Sequence, residues 1–281
     1  MDYKVTDSEL ISIANAIRTK GGTSAQLEFP TEFVSAINDI SGGGGGGVVQ
    51  TYEGTSEPSS SLGSNGDIYF RRYELPSNIN FVEYLQSSGT QYIDTGIKGS
   101  QSLSCEVKFV MLEPTAVLGA TDNSSNTGSA MFAILQNSVS GYGCNDVSFY
   151  KNNFRVFSDV NKVNVIKFGQ KSILQDNVRV FVDAPAFQTS GNIILFGFRL
   201  NSEVKARVAK IMRATFFQNG LPIKDYVPAK DSNNVACMYE SISGQFVNTS
   251  GSDSFTSGSV VTPETLTVEY RKRNGVWQIE D

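Results

Sequence analysis

Two short segments that lie far apart in the chain carry complementary parts of one small β-module. The first, SSLGSNGDIYFRRYE (Ser60–Glu74), alternates apolar and polar side chains from Ile68 onward, as a half-buried strand does. The second, TLTVEYRKRNGVWQIED (Thr265–Asp281), alternates in the same way and then carries Asn274-Gly275, a pair typical of a type I′ turn. One strand and one hairpin would form a three-stranded sheet, whereas a lone hairpin is marginal in water. The pattern therefore predicts a module that is split by a long insertion.

The insertion, residues 78–263, reads as one strand after another. Its segments LSCEVKFVM, KVNVIKF, NVRVFVD, NIILFGFRL, AKIMRATFF and VACMYES are bounded by clusters of Asn, Gly, Ser and Asp. Asn219-Gly220 marks the best hairpin turn among them. Short strands at regular spacing, with no helical pattern between them, predict a mainly β fold with a two-sheet sandwich or jelly roll.

The N-terminal segment is the only part with a helical pattern, and it predicts an α-helical hairpin. Thr6 and Glu9 form a capping box, and a second helix is expected to begin near Pro30. A piece of roughly 40 residues rarely buries enough surface to fold alone. We therefore expect its apolar stripes to pack against copies of the chain or against another protein. The predicted oligomerisation and attachment residues are Leu10, Ile13, Ile17, Phe33, Ile37 and Ile40.

Six consecutive glycines, Gly42–Gly47, follow the helical segment, and such a run behaves as a flexible coil. The predicted organisation is thus a helical module (1–41), a Gly/Ser-rich linker (42–59), a split β-module (60–77 with 264–281) and a β-sandwich (78–263).

Composition excludes several classes of function. The chain has no histidine, which removes the commonest general base, the Ser-His and Cys-His nucleophile pairs and most zinc or copper sites. Its formal charge is −5 without a basic run, so no nucleic-acid partner is expected. No apolar stretch approaches the ~20 residues of a transmembrane helix, so no membrane association is expected. We therefore predict a protein that is not an enzyme and needs no cofactor or metal.

The terminus and the cysteines predict where the chain is made. MDYKVTDSEL has neither a basic n-region nor an apolar h-region, so no secretory signal is expected. Cys105, Cys144 and Cys237 are widely spaced and odd in number, and Cys105 shares an alternating apolar face with its neighbours. These features indicate synthesis in a reducing cytoplasm and release by lysis or on a particle.

Two parts of the chain resemble modules of phage tail proteins. Residues 7–37 are similar to a short N-terminal tail module with the pattern D-x-x-L-x-x-I-A-x-AIR-x-K, followed by L-x-FP-x-x-F-x-x-AI. The split module resembles a repeat of tail fibres and other adhesins of phages that infect Gram-positive bacteria, in which LG-x-x-GDIY leads to VY-x-K-x-NG-x-W. These resemblances imply attachment to a tail, with the inserted domain displayed on a structural stem.

The two ends of the insertion resemble concanavalin A-like, laminin G-like domains of phage tail proteins. VEYLQSSGTQYIDTG (Val82–Gly96) matches the opening of that family, and NGLPIKDYVPA with the segment Met238–Gly258 matches its close. The chain has Tyr239-Glu240 where the family prefers YD. It also has Ser252-Asp253-Ser254 where the family has G-x-G. The resemblance implies a jelly-roll sandwich of lectin-like character.

Long polar loops with aromatic residues are the candidate glycan-binding surface. Thr121–Ser129 and Ser140–Asn153 are rich in side chains that hydrogen-bond sugar hydroxyls, and a tyrosine can stack on a sugar face. The alternative is that they are ordinary hairpin loops, whose composition is similar. The candidate ligand residues are Asn123, Asn126, Tyr142, Asn145, Asp146, Tyr150, Asn152 and Asn153.

Catalysis and metal binding have weaker support. A glycosidase needs two acidic side chains that flank the scissile bond, and no E-x-D-x-E pattern occurs on any predicted strand. Calcium could use Asp122 or Asp146, but no D-x-[DN]-x-[DN] loop supports it. We therefore expect no catalytic residue and no metal ligand.

The function that we expect from the sequence is that of a tail fibre or receptor-binding protein in the virion. Its lectin-like domain would bind a host cell-surface glycan without covalent chemistry. Its N-terminal module would join other tail or baseplate proteins, with the chain forming a homotrimer. The alternatives are a purely structural tail or baseplate protein without sugar binding, and a polysaccharide depolymerase.

Overall fold

A computed structural model of the chain describes residues 6–21, 32, 49–113, 116–122, 130–135, 139–144, 147–148, 161–169, 172–175, 178–181 and 186–280. These residues are mainly β, with one helix and three sheets. The elements are α1 (Asp7–Gly21), β1 (Thr51–Gly54), β2 (Ile68–Tyr73), β3 (Asn80–Phe81), β4 (Leu85–Gln86), β5 (Ile93–Ser100), β6 (Leu103–Met111), β7 (Leu118–Thr121), β8 (Met131–Leu135), β9 (Val139–Cys144), β10 (Val147–Ser148), β11 (Val163–Gly169), β12 (Ser172–Gln175), β13 (Val178–Phe181), β14 (Gln188–Leu195), β15 (Gly197–Leu200), β16 (Glu203–Ala206), β17 (Ala209–Gln218), β18 (Leu221–Lys230), β19 (Ala236–Glu240), β20 (Gln245–Val247), β21 (Thr256–Ser257), β22 (Leu266–Arg273) and β23 (Val276–Ile279).

The chain divides into two compact units. One consists of Met1–Arg71 with Glu269–Gln278, and the other of Arg72–Val268 with Ile279–Asp281. Among the described residues, no helix is both long enough and apolar enough to cross a membrane.

Helix α1 begins with the predicted capping box. The Thr6 amide donates to Glu9 Oε2 at 2.7 Å, and the Glu9 amide donates to Thr6 Oγ1 at 3.4 Å. Ala14 and Ile17 are buried, whereas Ile13 is 46% exposed. The described part of the chain contains this one helix and not a helical hairpin. The second predicted helix, with Phe33, Ile37 and Ile40, lies outside the described residues apart from Glu32.

The predicted pairing of the split module is confirmed. The four-stranded sheet has the order β1-β2-β22-β23, so the strand from the first segment lies beside the strand from the second. The Gly66 amide donates to the Lys272 carbonyl at 2.8 Å, and the Lys272 amide donates to the Asp67 carbonyl at 2.9 Å. Asn274 and Gly275 both have positive φ, 51° and 77°, as the predicted type I′ turn requires. We call this sheet the stem.

The stem has a fourth strand, which lies within the segment predicted as a linker. Thr51–Gly54 forms β1, which pairs with β2 in parallel, with Thr51 opposite Ile68. Residues 42–59 are therefore not a linker throughout, and the predicted three-stranded sheet is wrong by one strand. Four residues without an apolar alternation give no periodic signal, so only the pairing identifies this strand.

A buried lysine ammonium joins the two halves of the stem. Lys272 Nζ donates to the carbonyls of Ser60, Leu62 and Gly63 at 2.9, 2.6 and 3.0 Å, and it lies 5.7 Å from the ring centre of Trp277. Lys272 is 6% exposed. Since the three carbonyls belong to the first segment and the lysine to the second, this carbonyl cage closes only when both segments are folded together.

Asp67, beneath the same loop, anchors its backbone. Its carboxylate accepts hydrogen bonds from the amides of Gln50 at 2.9 Å and Ser64 at 2.7 Å. Burial opposes ionisation of Asp67, but these amides together with Tyr52 and the charge of Lys272 outweigh burial and lower its pKa. The motif residues of the module therefore hold the stem together: Gly66, Asp67, Lys272, Asn274, Gly275 and Trp277.

The two larger sheets share one hydrophobic core. One sheet has the order β10-β9-β8-β7-β14-β5, with β15 joined to β7 and to β16. The other has β13-β12-β11-β6-β17-β18-β19-β20, with β3, β4 and β21 attached. Phe132 of the first sheet packs on Phe168 of the second with ring centres 4.5 Å apart. Tyr226 Oη donates to the carbonyl of Thr95 across the core at 3.2 Å. The mainly β prediction is confirmed, and the jelly-roll order of the strands stays a prediction.

Several predicted strands have the expected bounds and faces. β6 coincides with LSCEVKFVM, and its alternate residues Leu103, Cys105, Val107 and Phe109 are buried. The predicted Asn-Gly turn joins β17 to β18, with positive φ at Asn219 and Gly220 (52° and 78°).

The segment NIILFGFRL is two strands and not the single strand that was predicted. The break lies at Phe196, which is fully buried with φ of 62°, a conformation that bulky residues rarely adopt. The centre of its ring lies 4.6 Å from the centre of the Phe255 ring. Gly197 follows, where a Cβ would lie 2.2 Å from the Lys205 carbonyl. The core contact of Phe196 and the close approach at Gly197 together direct the chain from β14 into β15.

Candidate functional site

The register of three strands defines one end of the eight-stranded sheet, which we call the loop end. Thr121 of β7 pairs with Met131 of β8, and Met131 pairs with Gly143 of β9. The ladder continues one step further, where the Asp122 amide donates to the Ala130 carbonyl at 2.9 Å. β7 and β9 therefore both run toward the loop end, and β8 runs away from it.

Residues 123–129, from the first predicted loop, follow β7 at the loop end. In the second predicted loop, Ser140–Asn153, Asn145 and Asp146 alone separate Cys144 of β9 from its partner Val147 of β10, and β10 runs back from the loop end. The prediction of one long loop is therefore wrong where β9 and β10 form a hairpin. Tyr142 was predicted as a loop residue, but it belongs to strand β9, opposite Phe132. The other candidate ligand residues lie outside the described residues: Asn123, Asn126, Asn145, Asp146, Tyr150, Asn152 and Asn153.

Asp122, the last described residue before the first of these loops, is held by hydrogen bonds. Its two carboxylate oxygens accept from the Ser190 amide, each at 3.1 Å, and Oδ1 also accepts from the Ser190 hydroxyl. These bonds tie the base of the loop to the start of β14. Within the described ranges, no group of three or more acidic or cysteine side chains is arranged to hold a metal ion. Asp122 therefore acts as a structural anchor.

An arginine clamps the strands beneath the loop end. Arg199 of β15 donates from Nη2 to Asp94 of β5 at 2.7 Å and from Nε to the carbonyl of Asn192 of β14 at 3.3 Å. Asn192 Nδ2 also donates to Asp94, at 2.9 Å. The aliphatic part of Arg199 crosses Gly191, where a Cβ would lie 2.1 Å from Cδ. β15 is thereby fixed beside β14 although the chain reverses between them.

We expect Arg199→Ala to lower the free energy of unfolding by about 1 kcal/mol, because solvent screens a partly exposed pair. The side chains of Arg199 and Asp94 are 18% and 31% exposed. Hydrogen exchange of the β5 and β14 amides measures the effect. Lys98→Ala, which removes an exposed cation from β5 itself, is the control. Equal exchange in the two variants would show that the clamp contributes nothing.

Asp225 and Glu240 are two buried carboxylates that lie close together, and their oxygens bind structural partners. Asp225 is completely buried and accepts two bonds of 2.8 Å from Arg213, with further bonds from Thr215 at 2.8 Å and Ser241 at 2.6 Å. Glu240, 1% exposed, accepts from the Asp225 amide and from Lys224, both at 3.1 Å.

The pKa of Glu240 reflects these contacts. Burial opposes its ionisation, but hydrogen bonds from Ser243, from the Asp225 and Ile242 amides and from Lys224 outweigh burial and lower the pKa. A general acid needs a raised pKa and a free face toward substrate. This arrangement instead holds the turn between β19 and β20.

Burial keeps the two cysteine side chains that the structure describes in the thiol form. Cys105 and Cys237 are free and fully buried. Burial raises the pKa of Cys237 to about 12 and the pKa of Cys105 well above its ordinary value, so neither is a thiolate at neutral pH.

Sequence reasoning missed the Asp94–Arg199 clamp and the Asp225 network because their members are brought together only by sheet pairing. The one available signal was Asp94 itself, an acidic residue inside the quoted motif QYIDTG. No protein-family model and no curated protein sequence matches this chain.

Proposed function

We propose that this chain is a phage tail component, a tail fibre or receptor-binding protein, whose sandwich binds a host cell-surface glycan without covalent chemistry. The observation that carries the proposal is that two polar segments, residues 123–129 and the turn Asn145-Asp146, adjoin the same end of one sheet. Sugar-binding sites combine hydrogen-bonding side chains with an aromatic platform, and Tyr150, four residues beyond that turn in sequence, is the candidate platform.

Hydrogen bonds at the base of the first loop support this proposal. Asp122, directly after β7, accepts from the Ser190 amide of β14. A base that is already held by such bonds lowers the ordering cost when a loop binds a ligand. The concanavalin A-like jelly roll that the sequence resembles is the fold that we propose for this unit.

The stem and helix α1 support the tail assignment. A module whose two halves meet in one sheet can carry a domain between them, as the resemblance to tail-fibre repeats implies. Ile11 and Ile13 of α1 are 59% and 46% exposed, which suits a helix that packs on other subunits. We propose a homotrimer that attaches to other tail or baseplate proteins in the virion. Weak single sites would then gain avidity from several copies.

Glycan binding of the full chain tests the proposal. We expect the protein to bind at least one polysaccharide from a panel of purified bacterial surface polysaccharides, measured by biolayer interferometry. Tyr150→Ala should weaken binding about tenfold, since an aromatic contact contributes roughly 1 kcal/mol or more. Asn126→Ala and Asn152→Ala should each weaken it several-fold.

Asn233→Ala is the matched control, because Asn233 lies in an exposed turn between β18 and β19. It should leave binding unchanged. Failure of the wild-type chain to bind any polysaccharide would contradict the proposal and favour a purely architectural tail protein. Release of reducing ends from a bound polysaccharide would instead establish a depolymerase.

A further inference from the structure

Among the arginines of the insertion whose side chains the structure describes, Arg207 differs in having no acidic partner. Arg199 and Arg213 bind aspartates at 2.7 and 2.8 Å. Arg207, just after β16, makes no ion pair with a carboxylate in the described part of the chain. Its Nη1 donates to the Ala206 carbonyl at 2.9 Å, and its other N–H groups have no hydrogen-bond acceptor among the described residues. Arg207 is half-buried, so its charge is held at a partly desolvated position.

An aromatic ring fixes the position of this guanidinium. The Arg207 guanidinium carbon lies 5.6 Å from the ring centre of Phe198, which is half-buried on β15. A cation held over a ring is attracted to it and loses less freedom when it binds a ligand. Lys205, directly opposite Phe198, is ion-paired with Glu203. The charge of Lys205 is therefore compensated, and the charge of Arg207 is not.

We propose that Arg207, positioned by Phe198, binds the acidic group of a host glycan, a carboxylate or a phosphate. A planar guanidinium with free N–H groups matches two oxygens of such a group in a bidentate pair. The single guanidinium of Arg207, in a chain of charge −5, suits one acidic group and not a continuous polyanion.

This position is distinct from the loop end. β15 runs toward the loop end beside β7, so β16 runs away from it and Arg207 lies at the far end of the hairpin. A polysaccharide is long enough to contact both places. The inference thus deepens the proposed function, and the choice of a glycan as ligand rests on that function.

Nuclear magnetic resonance of the Arg207 Nε–H group tests the site directly in the full chain. We expect a saturable shift on titration with methyl glucuronide or glycerol phosphate and none with neutral methyl glucoside. The ligand that binds more tightly, methyl glucuronide or glycerol phosphate, shows whether the acidic group of the glycan is a carboxylate or a phosphate. Arg207→Lys keeps the charge but lacks the planar guanidinium that makes two parallel hydrogen bonds. It should weaken binding of these acids about tenfold.

Two further variants distinguish the positioning of Arg207 by Phe198 from the effect of the net charge of the chain. Phe198→Leu should weaken binding of the acids several-fold, because the guanidinium loses the ring that orients it. Arg18→Ala removes an equal charge from α1 and should leave the affinity for both acids unchanged. Unchanged affinity for both acids in Arg207→Ala would overturn the proposal.

Binding of polymers separates this inference from the proposed function. We expect a polysaccharide with one glucuronate in each repeat unit to bind more tightly than neutral dextran, with the difference lost in Arg207→Ala. Equal binding of both polymers, unaffected by Arg207→Ala, would leave glycan binding intact and refute the acidic site. Binding of the small acids without binding of any polysaccharide would keep the Arg207 site and refute the glycan function.

Discussion

Lys272→Ala should unfold the stem while the insertion stays folded. Removing the ammonium leaves three carbonyls of the first segment without their charged donor, and Lys272 is only 6% exposed. Breaking a buried charged interaction costs about 3–5 kcal/mol, which is a large share of the stability of a four-stranded sheet. Hydrogen exchange should show lost protection across β2 and β22 and native protection in β6 and β17.

Two controls sharpen this test. Lys98→Ala removes an exposed lysine and should leave the protection of the stem unchanged. Lys272→Arg keeps the charge, but its larger head does not fit three carbonyls at 2.6–3.0 Å, so we expect partial loss. Native exchange in the stem of Lys272→Ala would mean that the carbonyl cage is not what holds the two segments together.

Asp225→Ala should destabilise the insertion about as strongly. Asp225 is fully buried, and its removal leaves Arg213, Thr215 and Ser241 without their common acceptor. We expect a loss of about 3–5 kcal/mol, because an uncompensated charge remains in a mostly buried site. For a unit of this size, the loss corresponds to roughly 10 °C in melting temperature, which calorimetry measures.

A double variant distinguishes the charge from the packing. Asp225→Ala combined with Arg213→Met removes both charges, and it should recover a substantial part of the loss, since no unpaired ion remains. The Asp94–Arg199 pair, which is more exposed, should show a much smaller effect in the same measurement. Equal melting temperatures for wild type and Asp225→Ala would show that the network is not important for stability.

Local sequence patterns predicted the elements that local physics determines. The alternation in LSCEVKFVM gave β6 with its bounds, and the two Asn-Gly pairs gave turns with positive φ at both residues. The capping box of Thr6 and Glu9 gave the start of α1. In each case the residues that make the contact are close in sequence, so the pattern itself contains the interaction.

The features that sequence did not predict depend on partners far along the chain. β1 exists through its parallel pairing with β2, and the break at Phe196 depends on Phe255 and on the Lys205 carbonyl. Arg207 gave no signal as a binding residue, because its lack of an acidic partner is visible only after the strands are paired. Of the glycan-binding residues predicted from sequence, Tyr142 alone lies in the described ranges, in a strand and not in a loop.

The stem also sets the order in which the molecule can be completed. Gly66 and Asp67 exchange hydrogen bonds with Lys272, near the opposite end of the chain, and such non-local contacts form slowly. During synthesis the first half of the stem must wait, with its strand edge unpaired, until the whole insertion and β22 have been made. A chain that stops before Lys272 cannot close the carbonyl cage, however well its sandwich folds. The closed carbonyl cage therefore marks a polypeptide that was synthesised at least as far as Lys272 of β22.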